Sequence, residues 1–261
     1  MKIRPNNLRK HVLKMVYEKQ SGHIGGSFSL AEIISYLYSN HDVAYEGIGT
    51  DRLILSKGHA VPIIYAVLYE MGLILTKDLN SFREINSPLQ GHPDKQRLKF
   101  MHATTGSLGQ GLSIAIGHAL ALKLKKINKR CFCIVGDGEM QEGQIWEALM
   151  LAPKFKLDNL ICVIDSNKSQ NDGLVEDILP MGSLLKKIES FGWDVIELNG
   201  NNEEEVEKGF FGLSNRRNGI PKCIIANTQK GSGVSFMNDP AWHAKVPNKE
   251  EYERAVEELG C

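Results

Sequence analysis

Two polar residues that follow separate apolar runs are placed to hold a hard cation between them. Asp137 lies in the turn Gly136-Asp137-Gly138-Glu139 after the run CFCIV. Asn167 lies thirty residues further on, in Asp165-Ser166-Asn167-Lys168 after LICVI. Glycines on either side of a carboxylate let other groups approach it closely. One carboxylate and one amide oxygen carry too little charge for an all-protein cage, but they suit Mg²⁺ shared with the phosphates of a bound molecule. A helix predicted to begin near Met140 aims its N-terminus at the same place, which favours a diphosphate. Taken alone, each motif reads as a tight turn at a strand end. Their pairing at the ends of consecutive strands is what points to a site.

The histidines divide by context. His23, His59 and His92 each adjoin a glycine in a predicted loop, and His243 follows Trp242 in another. Loops carried on a rigid scaffold are where ligand-facing residues concentrate, and imidazole can both take and give a proton near neutral pH. His11, His41, His102 and His118 read as structural residues, with His118 packed against the core from the apolar helix LSIAIGHALALK. The stretch Lys230-Gly231-Ser232-Gly233 fits either a phosphate cradle or a flexible loop over the site. The segment TTGSLGQGLS lacks the glycine spacing of a dinucleotide fingerprint and follows no strand.

The elements that must position these groups follow from apolar patterning. Runs at 52–56 (RLILS), 131–135, 160–165, 193–198 (WDVIEL) and 222–228 (KCIIANT) read as buried parallel strands. Helices are expected near 5–20, 29–39, 60–71, 107–126, 140–152, 183–191, 203–214 and 248–259. The acidic run from Asn201 to Lys208 opens one of them, with a capping Asn and acids in the first turn. Strands alternate with helices from residue 107 onward, so the expected fold is α/β, a doubly wound, mostly parallel sheet with helices on both faces. Ligands of such sheets sit beyond the carboxyl ends of the strands. Polar, glycine-flanked segments follow four strands, among them Lys57-Gly58-His59 after RLILS, and converge on that edge.

Composition narrows the class. With 261 residues, 31 basic against 31 acidic side chains and 42% hydrophobic content, the chain can bury a large core without disulfides, and it does not read as disordered. Zero net charge argues against a general nucleic-acid or membrane-surface binder. Cys131, Cys133, Cys162, Cys223 and Cys261 have no framework spacing, which suggests a reducing compartment. No apolar run reaches transmembrane length and the N-terminus has no signal-peptide core, so a cytoplasmic location is expected.

The spacing of GDG and Asn resembles the thiamine-diphosphate signature, and the remaining motifs narrow the resemblance to the transketolase family. These are Ser21-Gly22-His23, Lys57-Gly58-His59-Ala60, Gly91-His92-Pro93-Asp94, TTGSLGQG (104–111), Gly136-Asp137-Gly138-Glu139-Met140-Gln141-Glu142-Gly143 and Trp242-His243, in the family's order over about residues 7–250. The resemblance implies a thiamine-diphosphate-binding fold. Asp137, Asn167 and the Ser169 carbonyl would bind Mg²⁺, for which Ca²⁺ or Mn²⁺ could substitute. His59, Gly106, Ser107, Leu108, Gly136, Gly138, Glu139 and His243 would lie at the cofactor. His23, His59, His92 and His243 would line the substrate channel, and Glu142, with Glu147, would face a subunit interface. The implied reaction is reversible transfer of a two-carbon ketol group from a ketose donor to an aldose acceptor.

The family's pyrimidine-binding and C-terminal domains have no counterpart in residues 1–261, which read as a single diphosphate-binding domain. The resemblance therefore implies the N-terminal subunit of a split transketolase. A separate chain would supply the activating glutamate in an α2β2 assembly, and the substrate would be a sugar phosphate or a modified sugar. Ile24 and Ser107 stand where the family commonly has proline, and the stretch after Asn167 is unusually polar. The other readings are a deoxyxylulose-phosphate synthase relative, a non-catalytic homologue and a 2-oxoacid dehydrogenase α subunit.

Overall fold

The computed structural model describes residues 2–45, 47 and 49–260; Cys261 lies outside them. Five strands, β1 (Arg52–Leu55), β2 (Cys131–Gly136), β3 (Leu160–Ser166), β4 (Asp194–Asn199) and β5 (Lys222–Asn227), form one sheet in the order β1-β2-β3-β5-β4. Every pairing is parallel, as the alternation of strands and helices predicts.

Eleven helices accompany the strands among the described residues. They are α1 (Pro5–Lys19), α2 (Gly25–Phe28), α3 (Ala31–Asn40), α4 (Pro62–Glu70), α5 (Thr76–Leu79), α6 (Gln110–Leu124), α7 (Gly143–Lys154), α8 (Val175–Ile178), α9 (Leu184–Ser190), α10 (Glu203–Ser214) and α11 (Lys249–Glu258). Local chemistry sets their ends. Pro5 and Pro62 open α1 and α4, where a missing N–H costs nothing. Asn202 caps α10 by accepting from the Glu204 and Glu205 amides at 3.0 Å, and Asn248 and Glu251 form a reciprocal cap on α11.

Strand residues alternate between two apolar layers. Phe132, Ile134, Ile161, Val163, Ile224 and Ala226 pack with α1, α3, α4 and α10. Cys131, Cys133, Val135, Leu160, Cys162, Ile164, Cys223 and Ile225 pack with α6, α7 and α9 on the other face. The four described cysteines are thus core residues of one face, and Cys133, Cys162 and Cys223 are in register across three neighbouring strands.

Three expectations are corrected. WDVIEL is not a fully buried strand: β4 is the sheet edge, pairs only with β5, and buries only Leu198. Its polar Asp194 and Glu197 suit that position. The helix expected from 140 is broken into a 3₁₀ turn (Glu139–Gln141) and α7, because Glu142 is extended between them. The helix expected from 107 starts at Gln110, after Gly109 at φ +83°. Among the described residues no helix is long and apolar enough to cross a membrane.

Candidate functional site

The carboxyl ends of β1, β2, β3 and β5 meet around Asp165, which is completely buried. Its Oδ2 accepts from the Lys57 ammonium, from Ser29 Oγ at 2.6 Å and from Asn167 Nδ2 at 3.2 Å; its Oδ1 accepts from the Thr228 hydroxyl. Lys57 is buried as well, so the carboxylate and ammonium compensate one another where water does not reach. Using its Nδ2 on Asp165 fixes the Asn167 amide with Oδ1 on the other side, where it accepts from the Ser169 amide at 3.1 Å.

Asp137 is tied to the same centre. Its amide donates to the Asp165 carbonyl at 3.1 Å. Its side chain accepts from the Gly138 amide at 2.9 Å and the Lys168 amide at 2.6 Å. Burial, and then the negative charge of Asp165, push the Asp137 carboxyl up to about 6. A cation beside it would relieve both penalties. Among the described residues no group of three or more His, Cys, Asp or Glu side chains is arranged to hold a metal. A cation here would therefore take its remaining ligands from backbone oxygens, water or a bound anion, as expected for Mg²⁺.

A cavity of about 250 Å³ opens over these residues. Asp137, Gly138, Asn167 and Ser169 form one wall, Lys57 and Lys230 bring positive charge, and His59, His243 and Leu108 are among the other lining residues. The residues after Asn167 fold back as a small hairpin in which Ser169 bridges Leu174 and the Gln170 amide donates to the Gly173 carbonyl at 2.9 Å. Gln170 lies against Gly138, where an added Cβ would sit 2.9 Å from the glutamine Cβ. The loop after β5 is packed rather than free. Gly231 has φ +66°, its amide donates to the Gly25 carbonyl at 3.1 Å, and a Cβ there would overlap the Met237 carbonyl. The buried Lys230 reaches His243 Nδ1 and the Gln170 carbonyl, each at 3.4 Å. Burial, and then repulsion from Lys57, bring the Lys230 ammonium down to about 8.

Four imidazoles gather beside the cavity. The His23 ring lies 5.2 Å from His59, 5.3 Å from His243 and 6.4 Å from His92, and His59 lies 4.9 Å from His243. Two sit in single 3₁₀ turns, Gly58–Ala60 and Pro240–His243, the latter capped by Asp239. The His23 loop is held by Ser27 Oγ donating to the His23 carbonyl at 2.8 Å. Burial lowers all four, His23 to about 4 and His243 to about 3. Nearby cations add to it: Arg83 for His23 and His92, Lys57 for His59, Lys230 for His243. Each ring is thereby held further towards its neutral form, and the buried Nδ1 of His23 has no hydrogen-bond partner among the described residues. Neutral imidazoles in a cluster can accept, hand on and return protons.

The remaining histidines differ. His102 is buried, with Nε2 3.1 Å from the Tyr45 carbonyl; His11 pairs with Glu70 at 2.6 Å; His41 lies 3.4 Å from Asp51. His118 is half-buried on α6.

Other residues singled out from sequence take different places. Glu139 lines the cavity, but its carboxylate also accepts from Ser56 Oγ and from the Gly109 and Gly136 amides at 2.8 and 3.0 Å, bracing β2 to the start of α6. Gly106 lies against the His92 ring, and Ser107 is exposed. Glu142 is exposed at the cavity rim and Glu147 is exposed on α7. The Lys57–Asp165 pair, Lys230 and Arg83 carry site charge that motif reading did not assign.

Residues 3–261 match the family model described as transketolase, thiamine diphosphate binding domain. The chain is 36% identical to a protein of Phocaeicola vulgatus named as a subunit of apulose-4-phosphate transketolase, over 99% of this chain and 93% of that protein. It is 38% identical to 6-deoxy-6-sulfo-D-fructose transketolase subunit SqwG of Clostridium sp., over 97% and 94%. Its fold superposes on transketolase from Campylobacter jejuni with a TM-score of 0.91 at 32% identity, covering 98% of this chain and 42% of that one. The chain thus spans about two fifths of the solved transketolases it matches.

Proposed function

Because the chain belongs to the transketolase family, in its thiamine-diphosphate-binding part, we propose that it is the N-terminal subunit of a split transketolase. In this reading it works with a separate chain that carries the pyrimidine-binding and C-terminal domains and the activating glutamate, in an α2β2 assembly within the cytoplasm. The reaction is reversible transfer of a two-carbon ketol unit from a ketose to an aldose. The observation that carries the reading is a cluster of four imidazoles, two of which line a cavity with a buried carboxylate–amide pair on one wall and two ammonium groups beside it. Relatives named as subunits, matched over nearly their whole length, support the two-chain assembly.

The residues present fit thiamine diphosphate and Mg²⁺. Asp137, with its carboxyl raised by burial, Asn167 with its amide pinned by Asp165, and the Ser169 carbonyl would hold the cation. Lys57, Lys230, His59, His243 and Gly138 would face the diphosphate. When bound, the thiazolium supplies the electron sink for breaking the C–C bond beside a carbonyl. The chain's own part is proton traffic: a donor hydroxyl must lose a proton and an acceptor oxygen must gain one. The relatives named for apulose-4-phosphate and 6-deoxy-6-sulfofructose favour a substrate bearing a phosphate or sulfonate.

Affinity purification of the tagged chain from its source, with Mg²⁺ and thiamine diphosphate present, tests the reading. A co-purifying chain and a complex that transfers ketol units to an aldose are the expected result. Turnover by the chain alone would remove the two-chain assembly, and a complex unable to bind thiamine diphosphate would remove the enzyme reading.

A further inference from the structure

One cation near the histidine cluster belongs to neither the cavity wall nor an ion pair. Arg83 follows α5 with φ +60°, a left-handed conformation uncommon for a side-chain-bearing residue. Its amide is held by the Leu89 carbonyl at 2.8 Å, and its neighbour Phe82 is fully buried. From there the guanidinium reaches two loops. Nη1 donates to Ser21 Oγ, two residues before His23. The guanidinium also lies close against Gly91, the residue before His92: a Cβ at Gly91 would sit 2.6 Å from Nε and 2.8 Å from Cζ. Only glycine permits that approach. No carboxylate pairs with Arg83 among the described residues, and Asp94, the acid just beyond His92, pairs with Arg97 at 3.4 Å.

From this geometry we propose that Arg83 is a positioning residue of the proton-transfer site: it clamps the His23 and His92 loops to one another and presents one positive charge to both imidazoles. The proposal rests on the reading that these histidines serve substrate hydroxyls, and it adds a device that sets their spacing and charge together. His23 also faces Lys57, His59, His92 and His243, while His92 faces Arg83 and His23. Removing Arg83 thus takes away a cation common to both rings.

The test uses the full chain with ¹³C-labelled histidine, without partner, cofactor or substrate, so its outcome does not depend on ketol transfer. Ring signals are assigned with His23→Gln and His92→Gln and titrated by NMR. In Arg83→Met the midpoints of His23 and His92 are expected to rise by about one pH unit. Arg83→Lys keeps the charge and loses the guanidinium's contact with Gly91, so its midpoints stay near the parent's. If Arg83→Met does not fold, Ser21→Ala and Arg83→Lys still separate the clamp from the charge. In the assembled enzyme, Arg83→Met moves the acid limb of kcat/KM to higher pH by the same amount, and Arg83→Lys lowers kcat without moving it. A folded Arg83→Met with both midpoints unmoved overturns the proposal, as does an Arg83→Lys enzyme with unchanged kcat.

Discussion

Replacing Asp165 with asparagine is nearly isosteric, so its effect isolates charge and hydrogen bonding from packing. The parent carboxylate receives four donors on two oxygens, and three of them, from Lys57, Ser29 and Asn167, converge on Oδ2. An asparagine offers one oxygen. Oriented to keep the Thr228 bond, it turns an NH₂ towards three donors. Oriented the other way, it faces the Thr228 hydroxyl. Either way the buried Lys57 loses its counter-charge. Breaking a buried pair from one side costs about 3–5 kcal/mol, which for a chain of this size lowers Tm by roughly 6–20 °C. Thermal melts of the purified chain followed by circular dichroism measure it. Lys57→Met combined with Asp165→Asn removes both charges and is expected to recover at least half of the loss. A single variant melting within about 2 °C of the parent would refute the buried pair as the centre of the site. The same substitution frees the Asn167 amide to rotate, and Mg²⁺-dependent cofactor binding should weaken about 10–100-fold.

Other outcomes follow from individual residues. Folding raises the Asp137 carboxyl to about 6 from its ordinary 3.8, so its contribution to stability is full below 3.8 and is lost as pH rises through 6. Cation binding needs the ionised form, so Mg²⁺ affinity by calorimetry should fall about tenfold per pH unit below 6; equal affinity at pH 5 and 7.5 would contradict the assignment. His243→Asn in the assembled enzyme should lower kcat by about 10²–10⁴, as read by initial rates at saturating cofactor. Gly231→Ala places a Cβ on the Met237 carbonyl at a positive φ and should cost about 1–3 kcal/mol or more in urea denaturation.

Much of this was legible in sequence because it is local. The strand cores, the GDG turn, the glycine beside each of three site histidines and the polar residues after four strands are all short-range patterns, and parallel topology brings them to one edge. What escaped was long-range. Lys57 and Asp165 are 108 residues apart, and nothing in either neighbourhood announces the other. Nothing in the sequence around Arg83 points to the histidine loops, against which its positive φ and the missing Cβ of Gly91 bring it. The family resemblance put Glu139 at the cofactor, yet much of its hydrogen-bonding capacity is spent bracing the fold. The edge position of WDVIEL depends on strand order, which local patterning does not encode.

The row of cysteines across the sheet has a practical consequence. Cys131, Cys133, Cys162 and Cys223 lie in the core of one face, and burial pushes the thiols of Cys131, Cys133 and Cys223 far above their ordinary range. A thiolate is the species that reacts with alkylating reagents, so these sulfurs should be silent in the native chain and become labelled only when strands β2, β3 and β5 separate. Because they sit on three adjoining central strands, they should be modified together rather than one by one. Mass spectra taken during labelling would then contain unmodified chains and chains carrying all four internal adducts, with little between. The rate at which the second population grows would be a clock for the opening of the sheet on which the site is built.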